Sequence, residues 1–131
     1  MTTPVNQLTL DWMAEYEKKC QRHLVDVQGQ QVMWRQFGQG EPLLLIHGGH
    51  GSWLHWARNI DALSKHFTLY IADLAGYGDS SAPDFDDFES MVQVTAASIR
   101  TLLGPTTPFN LAGFSFGGLV SANVAAEGLA V

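Results

Sequence analysis

The chain reads as an α/β protein, a mostly parallel β-sheet with helices on both faces. Short apolar runs alternate with segments of helical periodicity in the order hairpin, strand, helix, strand, helix, strand, helix. Alternation of this kind builds parallel sheets. Every glycine cluster falls where a strand run ends, which is where ligand sites form in that architecture. The 131 residues, 46% apolar and 15% charged, suit one globular domain able to bury a core.

Each element has a local reason. Residues 6–19 place Leu8, Trp12, Met13 and Tyr16 at helical spacing, which predicts a helix. Residues 23–27 and 32–37 alternate in strand fashion about Gly29, which predicts a hairpin. Pro42 opens the run Leu43-Leu44-Leu45-Ile46, continuously apolar as in a parallel strand covered on both faces. After the glycines of 48–51, Trp53, Trp56, Ile60 and Leu63 mark one apolar face of a helix. Residues 67–72 form the next strand, ended by Asp73.

A turn-rich stretch over 76–87 leads into a helix over 91–103, with Asp87 or a neighbour near its N-cap. Gly104-Pro105 stops that helix. Residues 109–112 read as a short strand, and 119–127 begin a further helix. On this reading residues 1–21 are a helical extension and 22–131 the sheet core of a single domain.

Charge and composition exclude several classes. The net charge of −6, with only 7 Lys and Arg, argues against a nucleic-acid partner, which needs clustered cations. No basic amphipathic stretch suits a membrane surface, and no apolar run reaches spanning length. The first twenty residues lack a secretory leader pattern. The single Cys20, beside Lys18 and Lys19, has no partner for an internal disulfide and reads as a structural thiol. A cytoplasmic protein is expected.

Three stretches carry candidate chemistry. Gly113-Phe114-Ser115-Phe116-Gly117 has the Gly-x-Ser-x-Gly spacing of a nucleophile elbow and lies between a strand run and a helix run. A turn that sharp tolerates almost no side chain beside the serine, hence the glycines. The bland alternative is an ordinary glycine-serine turn. His47-Gly48-Gly49-His50-Gly51-Ser52 follows the 43–46 strand, where glycines let the backbone aim an N–H into a site. A dinucleotide fingerprint would require a third glycine at the position of Leu54. A metal site from His47, His50 and His55 would lack a carboxylate or cysteine partner.

Asp73-Leu74-Ala75-Gly76-Tyr77-Gly78-Asp79-Ser80 follows the next strand. Its aspartate is expected to bond local backbone N–H groups, with a catalytic role as the alternative. The acidic run from 84 to 89 reads as a solvated approach to the next helix. His66 suits the C-terminal end of a helix, and His23 a strand position near the surface.

In this order and at these strand ends, the three stretches resemble the α/β-hydrolase fold family from about His23 onward. The resemblance implies an α/β-hydrolase-type sheet truncated after the elbow helix, with Ser115 as nucleophile and the backbone N–H groups of Phe116 and Gly49 as oxyanion hole. Haloalkane dehalogenases and epoxide hydrolases of that family carry aspartate at the elbow. The serine therefore points to acyl chemistry on a small-molecule ester, thioester or amide, or on a ketone-adjacent carbon–carbon bond. The glycine loop is similar to that of carbon–carbon bond hydrolases of aromatic degradation, and Trp53, Trp56, Phe114 and Phe116 hint at an apolar substrate. No cofactor or metal is implied. A ligand-binding or regulatory protein on the same fold is the alternative.

The chain departs from the family in one respect. The triad order is Ser, then Asp or Glu, then His, whereas all five histidines (23, 47, 50, 55 and 66) precede Ser115 and Glu127 is the only acid after it. The chain is expected to be the N-terminal half of a hydrolase, with little or no turnover by itself.

Overall fold

The computed structural model describes residues 5–131, with side chains from Leu10 onward. The expected facing of Leu8 and the first four residues of the extension lie outside the described residues. Five strands form one sheet in the order β1-β2-β4-β3-β5. They are β1 (Gln21–Val27), β2 (Gln30–Phe37), β3 (Glu41–Ile46), β4 (Phe67–Asp73) and β5 (Asn110–Gly113). The hairpin β1-β2 and the pair β2-β4 are antiparallel, while β3 is parallel to both β4 and β5. The sheet is therefore mixed, with β2 alone running against the other strands.

The alternation of side chains across the sheet divides the core in two. Trp34, Leu44, Ile46 and Ala72 face one side, where α3 (Phe88–Leu103) and α4 (Phe116–Ala125) cover them with Val92, Ala96, Ile99, Val120 and Val124. Phe37, Leu45, Leu69 and Ile71 face the other side, packed with Tyr16 of α1 (Val5–Lys19), Trp53 and Ile60. The apolar run of β3 is explained by this, because both of its faces are covered.

The segment 53–63 is helical, as its periodicity predicts, but of two types. It is a 3-10 helix over Trp53–Asn59 followed by one α-turn, α2 (Ile60–Leu63). In a 3-10 helix residues three apart eclipse each other, which keeps Trp53 and Trp56 together on the core side. Its first turn is fixed from outside: the Ser52 hydroxyl accepts from Leu54 N–H at 3.2 Å, and the Asp73 carboxylate accepts from Trp53 N–H at 2.9 Å. Helix α3 begins earlier than the apolar pattern indicates, because Asp87 caps it by accepting from Ser90 N–H at 2.9 Å. The Ser90 hydroxyl, and after it that backbone bond, hold the Asp87 carboxyl below its ordinary pKa. Gly104 ends α3 as expected, at φ 87°. Glu127 lies past the end of α4 rather than on it.

Where β4 ends, one buried ion pair joins several of these elements. Asp73 and Arg35 are 0% and 1% exposed, and the Arg35 Nη1 donates to Asp73 Oδ2 at 2.8 Å. Arg35 also donates from Nε to Glu17 Oε1 of α1 at 2.9 Å, pairs with Asp79, and stacks its guanidinium 4.6 Å from the Trp53 ring centroid. Burial opposes its charge, but the bonds from Glu17 and Asp73 outweigh burial and hold the guanidinium pKa above its ordinary value. Replacing Arg35 by Met strands the buried Asp73 carboxylate and is expected to lower the unfolding free energy by about 3–5 kcal/mol. Urea denaturation measures this; a loss below about 1 kcal/mol, the range of an exposed pair, would show that the pair is dispensable.

Candidate active site

Strand β3 is followed by a segment that crosses one face of the sheet, and its neighbour β5 by α4 on the other face. Their carboxyl ends therefore part and leave a crevice, the topological switch point at which α/β sheets place ligands. The glycine loop after Ile46 and the turn at Ser115 meet there.

Ser115 sits at φ 55° and ψ −116°, directly between β5 and α4. A non-glycine residue with positive φ is uncommon and costs about 1–3 kcal/mol, held only where the surroundings determine it. Close packing of the flanking glycines does so here. A Cβ at Gly113 would run into the carbonyl of Gly117, and one at Gly117 would run into the carbonyls of Ile46 and His47. The turn is thereby pressed against the end of β3, and Phe114 N–H donates to Ile46 O at 3.0 Å. Ser115 is exposed, its side chain makes no capping bond, and its carbonyl starts α4 by accepting from Gly118 N–H at 2.9 Å. The helix begins at Phe116, earlier than the apolar pattern indicates, because the turn leaves no room for a loop.

The glycine loop is built around His47, which is 0% exposed. Its Nε2 accepts from Leu74 N–H at 3.0 Å, so the ring proton is assigned to Nδ1, which donates to Gly48 O at 2.6 Å. Burial pushes the pKa of His47 down, which agrees with a neutral ring whose nitrogens are both engaged. His55 Nδ1 is also engaged, accepting from Gly48 N–H at 3.1 Å. Among the described residues no three His, Cys, Asp or Glu side chains are grouped to hold a metal ion. Gly49 and Phe116 come together: a Cβ on Gly49 would lie 3.9 Å from that of Phe116. Among the described residues neither backbone N–H has a protein acceptor.

The other candidates fall elsewhere. Asp73 is buried beneath the loop and accepts from Asp79 N–H at 3.0 Å, the local bond expected of it. The sequence reading missed its bonds to Trp53 N–H and Arg35, although the alternation of β2 places Arg35 on the inward face with Phe37. Trp53 belongs to the core, and Trp56 is half-buried against it. Phe114 is exposed, and Phe116 packs edge-on against Phe88 with ring centroids 5.9 Å apart. Beside Phe116 lies a hollow of about 510 Å³ walled by Tyr77, Pro83, Phe85, Phe88 and Met91, with Asp86 and Asp87 among its lining. His23 bonds Gln36 at 2.8 Å, and His66 is exposed after α2. None of the described histidines hydrogen-bonds Ser115.

Two measurements test this construction. Gly117→Ala is expected to destabilise the chain by about 1–3 kcal/mol, the cost of overpacking, with a wild-type midpoint in thermal denaturation showing instead that the turn is loose. For His47, whose folded pKa lies below its ordinary 6.5, stability is fully present above that value. It is lost as pH falls further, since the unfolded chain then takes a proton that the folded ring refuses. The melting temperature should fall between about pH 7 and pH 5, and less steeply in His47→Asn; equal slopes in the two proteins would refute the role.

Comparisons with known proteins identify the fold. The sequence profile of the alpha/beta hydrolase fold matches residues 41–128. The chain is 32% identical over 94 residues to the pimeloyl-(acyl-carrier protein) methyl ester esterase of Vibrio campbellii, covering 70% of this chain and 34% of that protein. It is 39% identical over 89 residues to the (E)-2-((N-methylformamido)methylene)succinate hydrolase of Acinetobacter baylyi, covering 66% of this chain and 33% of that protein. The chain thus spans about a third of the length of these curated relatives. Among solved structures, a bacterial membrane phospholipase A superimposes with a TM-score of 0.78 at 26% identity, over 94% of this chain and 41% of that one. No helix among the described residues is long and apolar enough to cross a membrane. With profile, relatives and architecture in agreement, the chain belongs to the α/β-hydrolase fold family.

Proposed function

We propose that the protein is a serine hydrolase acting on a small-molecule acyl substrate: an ester, thioester or amide, or a carbon–carbon bond beside a ketone. The observation that carries this reading is the strained, exposed Ser115 at the head of α4, held there by the packing of Gly113 and Gly117. Strain of this kind persists at sites where it serves the mechanism. In the proposed reaction the Ser115 Oγ attacks the carbonyl carbon. The oxygen that becomes negative accepts from the N–H groups of Phe116 and Gly49, which have no other acceptor among the described residues. The positive end of the α4 dipole adds to their effect.

The proton of Ser115 must pass to a base. In this reading a histidine and its acid outside these 131 residues take that part, because none of the described histidines bonds Ser115 and His47 is committed to the loop. The chain by itself then turns over little or nothing. The esterase activity in the name of the Vibrio relative and the hydrolase activity in that of the Acinetobacter relative support hydrolysis. Serine rather than aspartate at the elbow favours acyl over epoxide chemistry. The single Cys20, without a partner for an internal disulfide, supports a cytoplasmic enzyme.

In the protein expressed from its native gene, Ser115→Ala is expected to lower ester hydrolysis by about 10⁴-fold or more, the scale on which loss of a nucleophile is felt. A serine-directed fluorophosphonate should modify the wild type at Ser115, located by peptide mass mapping, and leave the variant untouched. An unmodified Ser115 in a folded protein would favour the non-catalytic ligand-binding alternative.

A further inference from the structure

We propose that His55 is a positioning residue for the glycine loop, locking Gly48 so that the Gly49 N–H stays on the side of Phe116 and Ser115. The proposal deepens the serine-hydrolase reading and rests on it. Two peptide planes meet at Gly48. The first carries the Gly48 N–H, which donates to His55 Nδ1 at 3.1 Å. The second carries the Gly48 carbonyl, which accepts from Gly51 N–H at 3.2 Å and from His47 Nδ1 at 2.6 Å. A trans peptide points its carbonyl and its N–H in opposite directions, and no peptide here is cis. The partners of the Gly48 carbonyl therefore aim the Gly49 N–H away from His47. Glycine rotates more freely than any other residue, and the bond to His55 fixes the plane on its other side.

The placement of the ring supports a dedicated role. It lies so close over Gly51 that a Cβ there would overlap it. Its edge contacts are Phe114, the residue before Ser115, at 5.7 Å and 89°, and His47 at 6.0 Å and 90°. The ring is thus wedged between the turn that exposes the serine and the residue that anchors the loop. Its own backbone is held by the 3-10 helix, whose start is tied down through Ser52 and Asp73. Accepting at Nδ1 makes His55 a neutral ring with its proton on Nε2, and it does not bond Ser115. Its part is to hold geometry, not to move the proton.

Two variants separate that role from mere packing. His55→Phe keeps a flat ring but has no acceptor; His55→Asn places an amide oxygen at the δ position, where it can take the Gly48 N–H. In the native gene product, His55→Phe is expected to slow fluorophosphonate modification of Ser115 and to lower kcat by about 10–100-fold with little change in KM. This is less than the loss of a whole oxyanion donor. His55→Asn should recover the rate to within about 3-fold, since it restores the bond. In the ¹⁵N-labelled 131-residue chain, the Gly48 amide should exchange with solvent faster in His55→Phe than in the wild type or His55→Asn, with circular dichroism confirming that all three are folded. A His55→Phe protein that is modified at the wild-type rate, or whose Gly48 amide stays protected, overturns the proposal. If the wild type itself is not modified at Ser115, the hydrolase reading fails instead, and Gly48 exchange still decides whether His55 locks the loop.

Discussion

The carboxylate of Asp73 is the point through which the rest of the structure is held. It ends β4, is fully buried, and meets three donors from three places: Arg35 of β2, the N–H of Trp53 and the N–H of Asp79. A buried carboxylate is tolerated only when its lone pairs are filled and its charge is matched. These conditions fix the start of the 3-10 helix and the turn after β4, and Arg35 extends the constraint to Glu17 of α1. A charged cluster in the core adds little net stability beside an apolar one of the same volume. Its value here is positional, because loops leaving β3 and β4 are set against each other before any site residue is considered.

The site itself is made by backbone more than by side chains. His47 spans the ends of β3 and β4, taking Leu74 N–H on one nitrogen and giving its proton to the Gly48 carbonyl. On the other flank, carbonyls of Ile46 and His47 press against Gly117. The end of β3 is thus gripped from both neighbouring strands, and the N–H groups of Gly49 and Phe116, without a protein acceptor among the described residues, lie between the grips. Donors held this way do not reorganise when charge develops beside them, which is what makes such groups effective in stabilising an anion.

Much of this was legible in the sequence, and the boundary of legibility has a physical cause. The apolar runs, alternating in the hairpin and continuous in β3, gave every strand, because burial of one or both faces writes itself into the pattern of the apolar residues. The glycines at 113 and 117 were legible because close backbone approach leaves no other choice of residue. The helix over 53–63 was legible, but not its type, because an apolar spacing of three and four fits either helix; what decided it were bonds from Ser52 and Asp73, one of them twenty residues away. Partners such as Arg35 for Asp73 and His55 for Gly48 were invisible for the same reason. They depend on which side chain tertiary packing brings to a buried donor, and the alternation of β2 could only say that Arg35 points inward.

The same packing sets which groups already surround Ser115, where the proposed proton acceptor must come. On the β4 side Leu74 N–H is bonded to His47, and the Tyr77 ring meets the His47 ring edge-on at 5.3 Å. On the face toward the 3-10 helix, His55 and Phe114 fill the space between the glycine loop and the elbow. The flank of β5 away from β3 carries no strand among the described residues. A base that takes the Ser115 proton must sit within hydrogen-bond reach of Oγ. In the proposed reading, nucleophile and anion-binding groups are assembled by strand ends adjacent in the sheet, and proton transfer falls to a separate element. On that reading the strained turn and the glycine loop form without the residue that makes the serine reactive.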